Sequence, residues 1–121
     1  MVNIVERNTI HLLHITDTGK SIRSRQDILD IILGHEYKNI AGIAIDKDCF
    51  HPDFFRLKTG MAGEILQMFV NYQTKVAIIG DLAKYTTISA SLRDFIVESN
   101  RGNQIFFVSN IEEAFGYFSR S

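Results

Sequence analysis

Two short apolar runs, each closed by an aspartate, constrain the fold of this chain most. Ile40–Asp46 reads Ile-Ala-Gly-Ile-Ala-Ile-Asp, and residues 76–81 read Val-Ala-Ile-Ile-Gly-Asp. A strand sequence without polar alternation is typical of parallel sheets, because helices cover both faces of such a sheet. Residues 105–109 form a third run of the same kind. We therefore predict three central strands that are parallel to one another.

Helical and β-type patterns occupy most of the remaining chain. Apolar residues recur with helical spacing in three segments, residues 59–73, 89–101 and 110–118. Ser24 with Asp27 resembles a capping box and predicts the start of a further helix, and Ser109 with Glu112 has the capping-box spacing at the start of the last helix. Residues 4–7 and 9–15 predict an edge hairpin. This alternation predicts an α/β fold with a mixed, mostly parallel five-stranded sheet and about four helices on its two faces.

Length and composition set the class of protein. The 121-residue chain is long enough to bury its own core, and no linker divides it, so we predict a single domain over residues 1–121. Its net charge of −1 offers no basic surface for nucleic acid, and its apolar runs are too short to span a membrane. The single cysteine, Cys49, and the lack of an apolar leader predict a reducing, cytoplasmic location.

The predicted helix start at residue 59 raises the question of an anion site. We expect the Thr59 hydroxyl to cap this helix, with Gly60 as the first helical residue. Free N–H groups and the helix dipole at the same place also favour a small anion such as phosphate. The segment lacks the glycine spacing of phosphate loops and dinucleotide-binding motifs. Gly63, inside the helix, predicts that backbone or an aromatic ring packs closely against it.

A polar rim is predicted at one edge of the sheet, because ligands of open parallel sheets bind beyond the carboxyl ends of the strands. Strand ends contribute Asp46, Asp81 and Ser109 to this rim. The predicted ligand-binding residues are Asp46, Lys58, Thr59, Gly60, Asp81 and Ser89. Acids at strand ends also cap the following turn, so capping and ligand binding both remain open. No His or Cys shares a metal-binding spacing with the two aspartates, and we predict no metal and no cofactor.

Cysteine and histidine give no complete catalytic set. Cys49 and His51 suggest a thiol beside an imidazole, but such a nucleophile needs a third, orienting group that the sequence does not supply. His11 and His14 differ by three positions in one strand, which sends their side chains to opposite faces. We therefore assign no catalytic residue.

The helix predicted over residues 59–73 is apolar on most sides. Five residues share one apolar line, namely Met61, Ile65, Met68, Phe69 and Tyr72. Leu66 and Val70 widen this surface. Either the core of the chain covers it or a protein partner does, and we predict a homodimer that buries part of this helix or an apolar edge of the sheet.

Three segments resemble the bacterial family called domain of unknown function 4180. They are residues 54–67, 79–81 and 92–103, and the likeness covers nearly the whole chain. The resemblance implies no particular activity, because the family brings none with it.

A second resemblance is to STAS domains, the anti-sigma-factor-antagonist fold, in which two early strands lead into strand–helix alternation. Those domains carry a phosphorylatable Ser, followed by Gly, between the third strand and a helix. Thr59 and Gly60 stand in a comparable place after a longer connection over residues 47–58. This resemblance implies a non-enzymatic regulatory or protein-interaction module, which is our first functional hypothesis. The second is a domain, or an enzyme, that binds a small ligand or an anion such as phosphate or a nucleotide at the rim.

Overall fold

A computed structural model describes residues 2–34 and 40–119 of the chain. The strands are β1 (Val2–Arg7), β2 (Ile10–Ile15), β3 (Ile40–Asp46), β4 (Val76–Ile79) and β5 (Ile105–Val108). The helices are α1 (Arg25–Gly34), α2 (Met61–Asn71), α3 (Ala83–Thr86), α4 (Ala90–Arg101) and α5 (Ile111–Phe118). Three short 3-10 turns, Lys47–Cys49, Pro52–Phe55 and Leu57–Thr59, connect β3 to α2.

The strands form one mixed sheet in the order β1-β2-β3-β4-β5. The first pair is antiparallel and the other three pairs are parallel, so the predicted α/β class and the predicted parallel pairing are confirmed. The hairpin between β1 and β2 is also confirmed. Its two loop residues, Asn8 and Thr9, both have positive φ, as a type I′ turn requires.

The prediction that all three apolar runs are central strands is wrong for β5, which lies at one edge of the sheet. Phe106 and Phe107 are both buried because α5 packs on one face of β5 and α4 on the other. A continuous apolar run therefore indicates that helices cover both faces of a strand. It does not report whether a strand lies on each side.

The two faces of the sheet are covered unequally. Helices α1, α2 and α4 pack on one face, which we call the three-helix face, over Leu13, Ile45 and Ile78. Helix α5 alone packs on the opposite face, which we call the α5 face, over Leu12, Ala44 and other small or aromatic residues. The connections from β2 to β3, from β3 to β4 and from β4 to β5 all step in the same direction across the sheet. Because such connections are right-handed, their helices all lie on the same face, which explains the asymmetry.

Capping boxes are present at the starts of α1 and α5, and the one at α5 lies one residue later than predicted. The Ser24 hydroxyl accepts from the N–H of Asp27 at 3.2 Å, and the Asp27 carboxylate accepts from the N–H of Ser24 at 3.2 Å, which confirms the capping box of α1. The box predicted at Ser109 for α5 is one residue too early. Asn110 caps this helix by accepting from the N–H of Glu113, whose carboxylate accepts from the N–H of Ser109.

The apolar surface of α2 lies largely inside the chain. Ile65 and Phe69 are fully buried in the core, and Met61 and Met68 are half-buried against it. Ile65 and Phe69 therefore offer no surface to a partner, and their assignment to an interface is wrong because the chain's own core covers them. Val70 and Tyr72 are the exposed apolar residues of this segment, at 44% and 45%.

The close packing predicted at Gly63 is wrong. A Cβ atom at this position has no neighbour within 4 Å, whereas a Cβ at Gly42 lies 2.9 Å from the Lys75 carbonyl oxygen and 3.0 Å from the Phe118 ring. The glycine that the packing requires is therefore in β3, beneath the end of α5.

Candidate functional site

The connections that follow β4 and β5 diverge to opposite faces of the sheet. After β4 the chain turns to the three-helix face, where Leu82 joins the core, and after β5 it turns to the α5 face. Adjacent parallel strands whose connections separate in this way leave a crevice at their carboxyl ends, the usual ligand position in open α/β sheets. A cleft of about 330 Å³ lies at this point.

The cleft has an apolar floor and a polar rim. Its lining comprises Gly80, Asp81, Leu82, Ala83, Thr86, Ile96, Phe107, Val108 and Ser109. The structure thus brings two of the predicted strand-end residues, Asp81 and Ser109, together. Asp81 Oδ1 accepts from the N–H of Ala83 at 2.9 Å, so one carboxylate oxygen caps the turn into α3. Arg93 donates to the carbonyl of Thr86 and brings a positive charge to this side of the cleft.

Lys47 crosses the end of β4 beside the cleft. A Cβ atom on Gly80 would lie 2.6 Å from Lys47 Cδ and would push this flexible side chain aside, and Gly80 has φ of 144°, a backbone conformation that favours glycine. Lys47 Nζ donates to Asp48 Oδ1 at 3.0 Å. This hydrogen bond is the main reason why the pKa of Lys47 is raised, and the charges of Asp48 and Asp81 add to it. Lys47 therefore remains a cation next to the cleft.

A second polar pair at the rim consists of His14 at the end of β2 and Asp46 at the end of β3. His14 Nε2 and Asp46 Oδ1 lie 2.9 Å apart, and their side chains are 19% and 35% exposed. His14 is level with Ala44 in the parallel register, which sends it to the same α5 face as Asp46. His11 pairs instead with Glu6 at 3.0 Å, so the predicted separation of the two histidines onto opposite faces is confirmed.

Sequence reasoning missed His14 as the partner of Asp46, because the two residues are 32 positions apart and only the β2–β3 register brings them together. An aspartate that holds one ring nitrogen of a histidine fixes the orientation of the ring, as in many proton-transfer sites and metal sites. Asp46 pairs with Ile79, and Ile79 with Val108, so β4 lies between this pair and the end of β5. None of the cleft residues is His14 or Asp46.

The Thr59 hydroxyl is committed to the backbone. It lies 2.8 Å from the carbonyl oxygen of Asp53 and 2.9 Å from that of Arg56, and it accepts from the N–H of Met61 at 3.2 Å. The predicted contact with a free N–H of the helix is thus confirmed, but Thr59 as the N-cap and Gly60 as the first helical residue are both wrong. Gly60 has φ of 78° and occupies the N-cap position of α2, and Thr59 precedes it.

The remaining predicted rim residues have local roles or no described contact with the cleft. Ser89 caps α4, because its hydroxyl accepts from the N–H of Leu92 at 3.1 Å. Lys58 is exposed in the turn before Thr59. Neither Ser89 nor Lys58 lines the cleft. Among the predicted ligand-binding residues, Asp81 is the one that lines it.

Cys49 is unsuited to nucleophilic chemistry. It is buried, and burial, followed by the charge of Asp46, raises the pKa of its thiol to about 11. His51 Nδ1 accepts from the N–H of Asp53 at 3.1 Å and thereby caps the turn Pro52–Phe55. The thiol–imidazole interpretation of these two residues is therefore not supported by their surroundings.

Within residues 2–34 and 40–119, no group of three or more His, Cys, Asp or Glu side chains is placed to hold a metal ion. In the same part of the chain, no helix is both long and apolar enough to cross a membrane.

One known protein family matches most of the chain. The pattern of the family described as domain of unknown function (DUF4180) matches residues 7–117, so the chain belongs to this family. Searches of curated proteins and of solved structures gave no match.

Proposed function

We propose that this protein binds a small polar ligand in the cleft at the carboxyl ends of β4 and β5. The observation that carries the proposal is the divergence of the two connections, which opens a crevice where the sequence supplies Asp81 and Ser109. The volume, about 330 Å³, lies at the lower end of the range for ligand pockets and favours a small molecule.

The side chains of the cleft favour a ligand that carries hydrogen-bond donors. Asp81 offers a carboxylate, Thr86 and Ser109 offer hydroxyl groups, and Phe107 and Ile96 offer an apolar floor. An amine or a polyol with a short apolar part fits this combination. For free phosphate the charges oppose each other, because Asp81 repels an anion whereas Lys47 and Arg93 beside the cleft attract one. The other candidate for an anion, Thr59, already uses its hydroxyl for backbone contacts.

A thermal-shift screen tests the proposal. The panel contains small amines, amino acids, polyols, nucleosides, nucleotides and inorganic phosphate. We expect a donor-bearing class to raise the melting temperature by several degrees, since a ligand at about 100 times its Kd adds about 2.7 kcal/mol to the free energy of unfolding.

Variants locate the binding site. Asp81→Asn keeps the oxygen that accepts from Ala83 but removes the charge, and Ala83→Phe fills the cleft; both are expected to abolish the shift. Glu98→Gln is the matched control, because it removes an exposed carboxylate that pairs with Arg101 away from the cleft. A panel without any shift, or a shift that Asp81→Asn and Ala83→Phe leave intact, contradicts the proposal.

A second candidate function, a STAS-like regulatory or protein-interaction module, is favoured by one exposed residue. Ile88, in the loop between α3 and α4, is 85% exposed next to the cleft residue Thr86. A protein partner that covers this side chain would remove its apolar surface from water, which favours binding. This version of the module does not use Thr59 as a phosphorylation switch, because its hydroxyl is engaged with backbone carbonyls.

Affinity purification with the wild type and two variants tests this second function. A partner that is retained by the wild type and by Val70→Ser, lost with Ile88→Ser, and then bound saturably as a purified protein supports it. Val70 is the control because it is an exposed aliphatic residue on α2, at 44%. Equal retention by both variants argues against Ile88 as the anchor.

A further inference from the structure

The outer edge of β1 lacks the cover that protects the opposite edge of the sheet. In the described part of the chain, β1 pairs with β2 alone. On the far side, Asn100 acts as a substitute strand for β5: its side-chain amide donates to the Phe107 carbonyl at 3.1 Å and accepts from the Phe107 N–H at 2.7 Å. An edge without such a device is a template for another strand.

The hairpin determines which backbone groups of β1 point outward. A two-residue loop is closed by a hydrogen-bonded pair, here Arg7 and Ile10, so Arg7 and alternate residues before it bond to β2. Val2, Ile4 and Glu6 therefore direct their N–H and C=O groups away from the sheet. The Arg7 guanidinium donates to the Glu6 carbonyl at 2.8 Å, as expected for a carbonyl on the outer side.

The Arg7 guanidinium covers one outward acceptor of β1, the Glu6 carbonyl, and the rest of the edge is more open. Val2 and Ile4 are exposed apolar residues, at 39% and 47%, on the three-helix face. The two charged residues of the strand are held within the chain, Glu6 by His11 and Arg7 by Glu112, each at 3.0 Å. The register with β2 runs without a bulge from Val2 to Arg7, and the strand contains no proline. β1 thus has neither a proline nor a bulge against edge pairing, and its two charged residues lie together at one end of the strand.

We propose that the β1 edge pairs with β1 of a second copy of this chain, antiparallel about a two-fold axis through Ile4. Residues opposite each other in such a pair must share a face, so Ile4 faces Ile4 of the partner subunit and Val2 faces Glu6 of the partner subunit. This register gives every outward N–H and C=O of residues 2, 4 and 6 a backbone partner, and at the Glu6 carbonyl a backbone N–H replaces the Arg7 guanidinium. It extends the sheet across both chains.

Charge and side-chain contact select this register among the alternatives. A pair centred on Val5 brings the two Glu6 side chains closer together, and a pair centred on Glu6 sets them directly opposite, where like charges repel. The pair centred on Ile4 keeps both Glu6 side chains at the ends and joins the two exposed isoleucines. It also pairs the outward groups of residues 2, 4 and 6, whereas a pair centred on Asn3 uses those of residues 2 and 4 alone. The net charge of −1 adds little repulsion between copies. The interface is independent of the cleft and of the ligand proposed there.

Sedimentation equilibrium of the full chain and of Ile4→Pro is the first test. Proline at position 4 removes an outward N–H that β2 does not use, so the chain is expected to keep its circular dichroism spectrum and to lose the dimer. The wild type is expected to dimerise at about 100 μM, where even a micromolar Kd gives a largely occupied interface. A monomeric wild type, or a dimer that persists in Ile4→Pro, overturns the proposal.

Disulfide crosslinking tests the register independently. Opposed Cα atoms of a hydrogen-bonded pair are about 5.5 Å apart, within the range that a disulfide spans. Ile4→Cys is therefore expected to give a covalent dimer on mild oxidation. Val97→Cys is the matched control, because Val97 is 48% exposed on α4, and the native Cys49 is buried. Equal crosslinking of the two variants, or none in Ile4→Cys, overturns the register.

Discussion

The two edges of the sheet differ in whether their outward backbone groups are hydrogen-bonded within the chain. The β5 edge is short and is closed within the chain, because Asn100 bonds to both backbone groups of the buried Phe107. The β1 edge is regular, exposed and attached to the rest of the fold through β2 and through surface ion pairs. Asn100 therefore closes the β5 edge at Phe107 from within the chain, whereas β1 leaves its outward backbone groups open to another strand.

Two proline substitutions in β1 test the assignment of inward and outward groups with the largest expected effect. Val5→Pro removes an N–H that bonds to β2, and we expect it to lower the free energy of unfolding by about 3 kcal/mol. Ile4→Pro removes an outward N–H, and we expect a loss of about 1 kcal/mol or less. Urea denaturation at a concentration that keeps the chains monomeric measures both. Equal losses would mean that the alternation is wrongly assigned.

Asn100 variants test the closed edge. Asn100→Ala leaves the N–H and C=O of Phe107 without their side-chain partner, and we expect the free energy of unfolding to fall by about 2 to 3 kcal/mol. Asn100→Asp keeps the acceptor for the N–H but sets a carboxylate oxygen against the Phe107 carbonyl oxygen, so it is also expected to lower the free energy of unfolding. Urea denaturation again provides the measurement. A loss below about 1 kcal/mol for Asn100→Ala would remove the contrast between the edges.

The ion pair that ties β1 to α5 is expected to matter least. Arg7 and Glu112 have side chains that are 47% and 61% exposed, so solvent screens their attraction. Glu112→Gln should lower the free energy of unfolding by less than about 0.5 kcal/mol, and the difference from wild type should vanish in high salt. Glu98→Gln, which breaks the exposed pair with Arg101, is the control. A salt-independent loss above about 1 kcal/mol would show that β1 is held more firmly than its exposure indicates.

Local sequence signals predicted the elements whose causes are local. The capping box at Ser24 and Asp27, the hairpin around Asn8 and the apolar run of β3 depend on residues near each other in the chain. The candidate site was predicted in part: Asp81 and Ser109 meet in the cleft because both follow adjacent parallel strands. The cleft is not lined by Thr59, Lys58 or Ser89. These residues lie near helix starts at the same edge of the sheet, but a position near a helix start does not bring a side chain to a particular strand end.

The sequence by itself determined the fold class, the parallel pairing of the apolar strands and the polar character of their ends, because periodicity and turn chemistry act over a few residues. The tertiary structure alone decided that β5 is an edge, that Asn100 closes it, and that His14 meets Asp46. It also decided that Ile65 and Phe69 belong to the core of the chain itself. These outcomes depend on strand order, register and the packing of distant segments, and no pattern within one element records them.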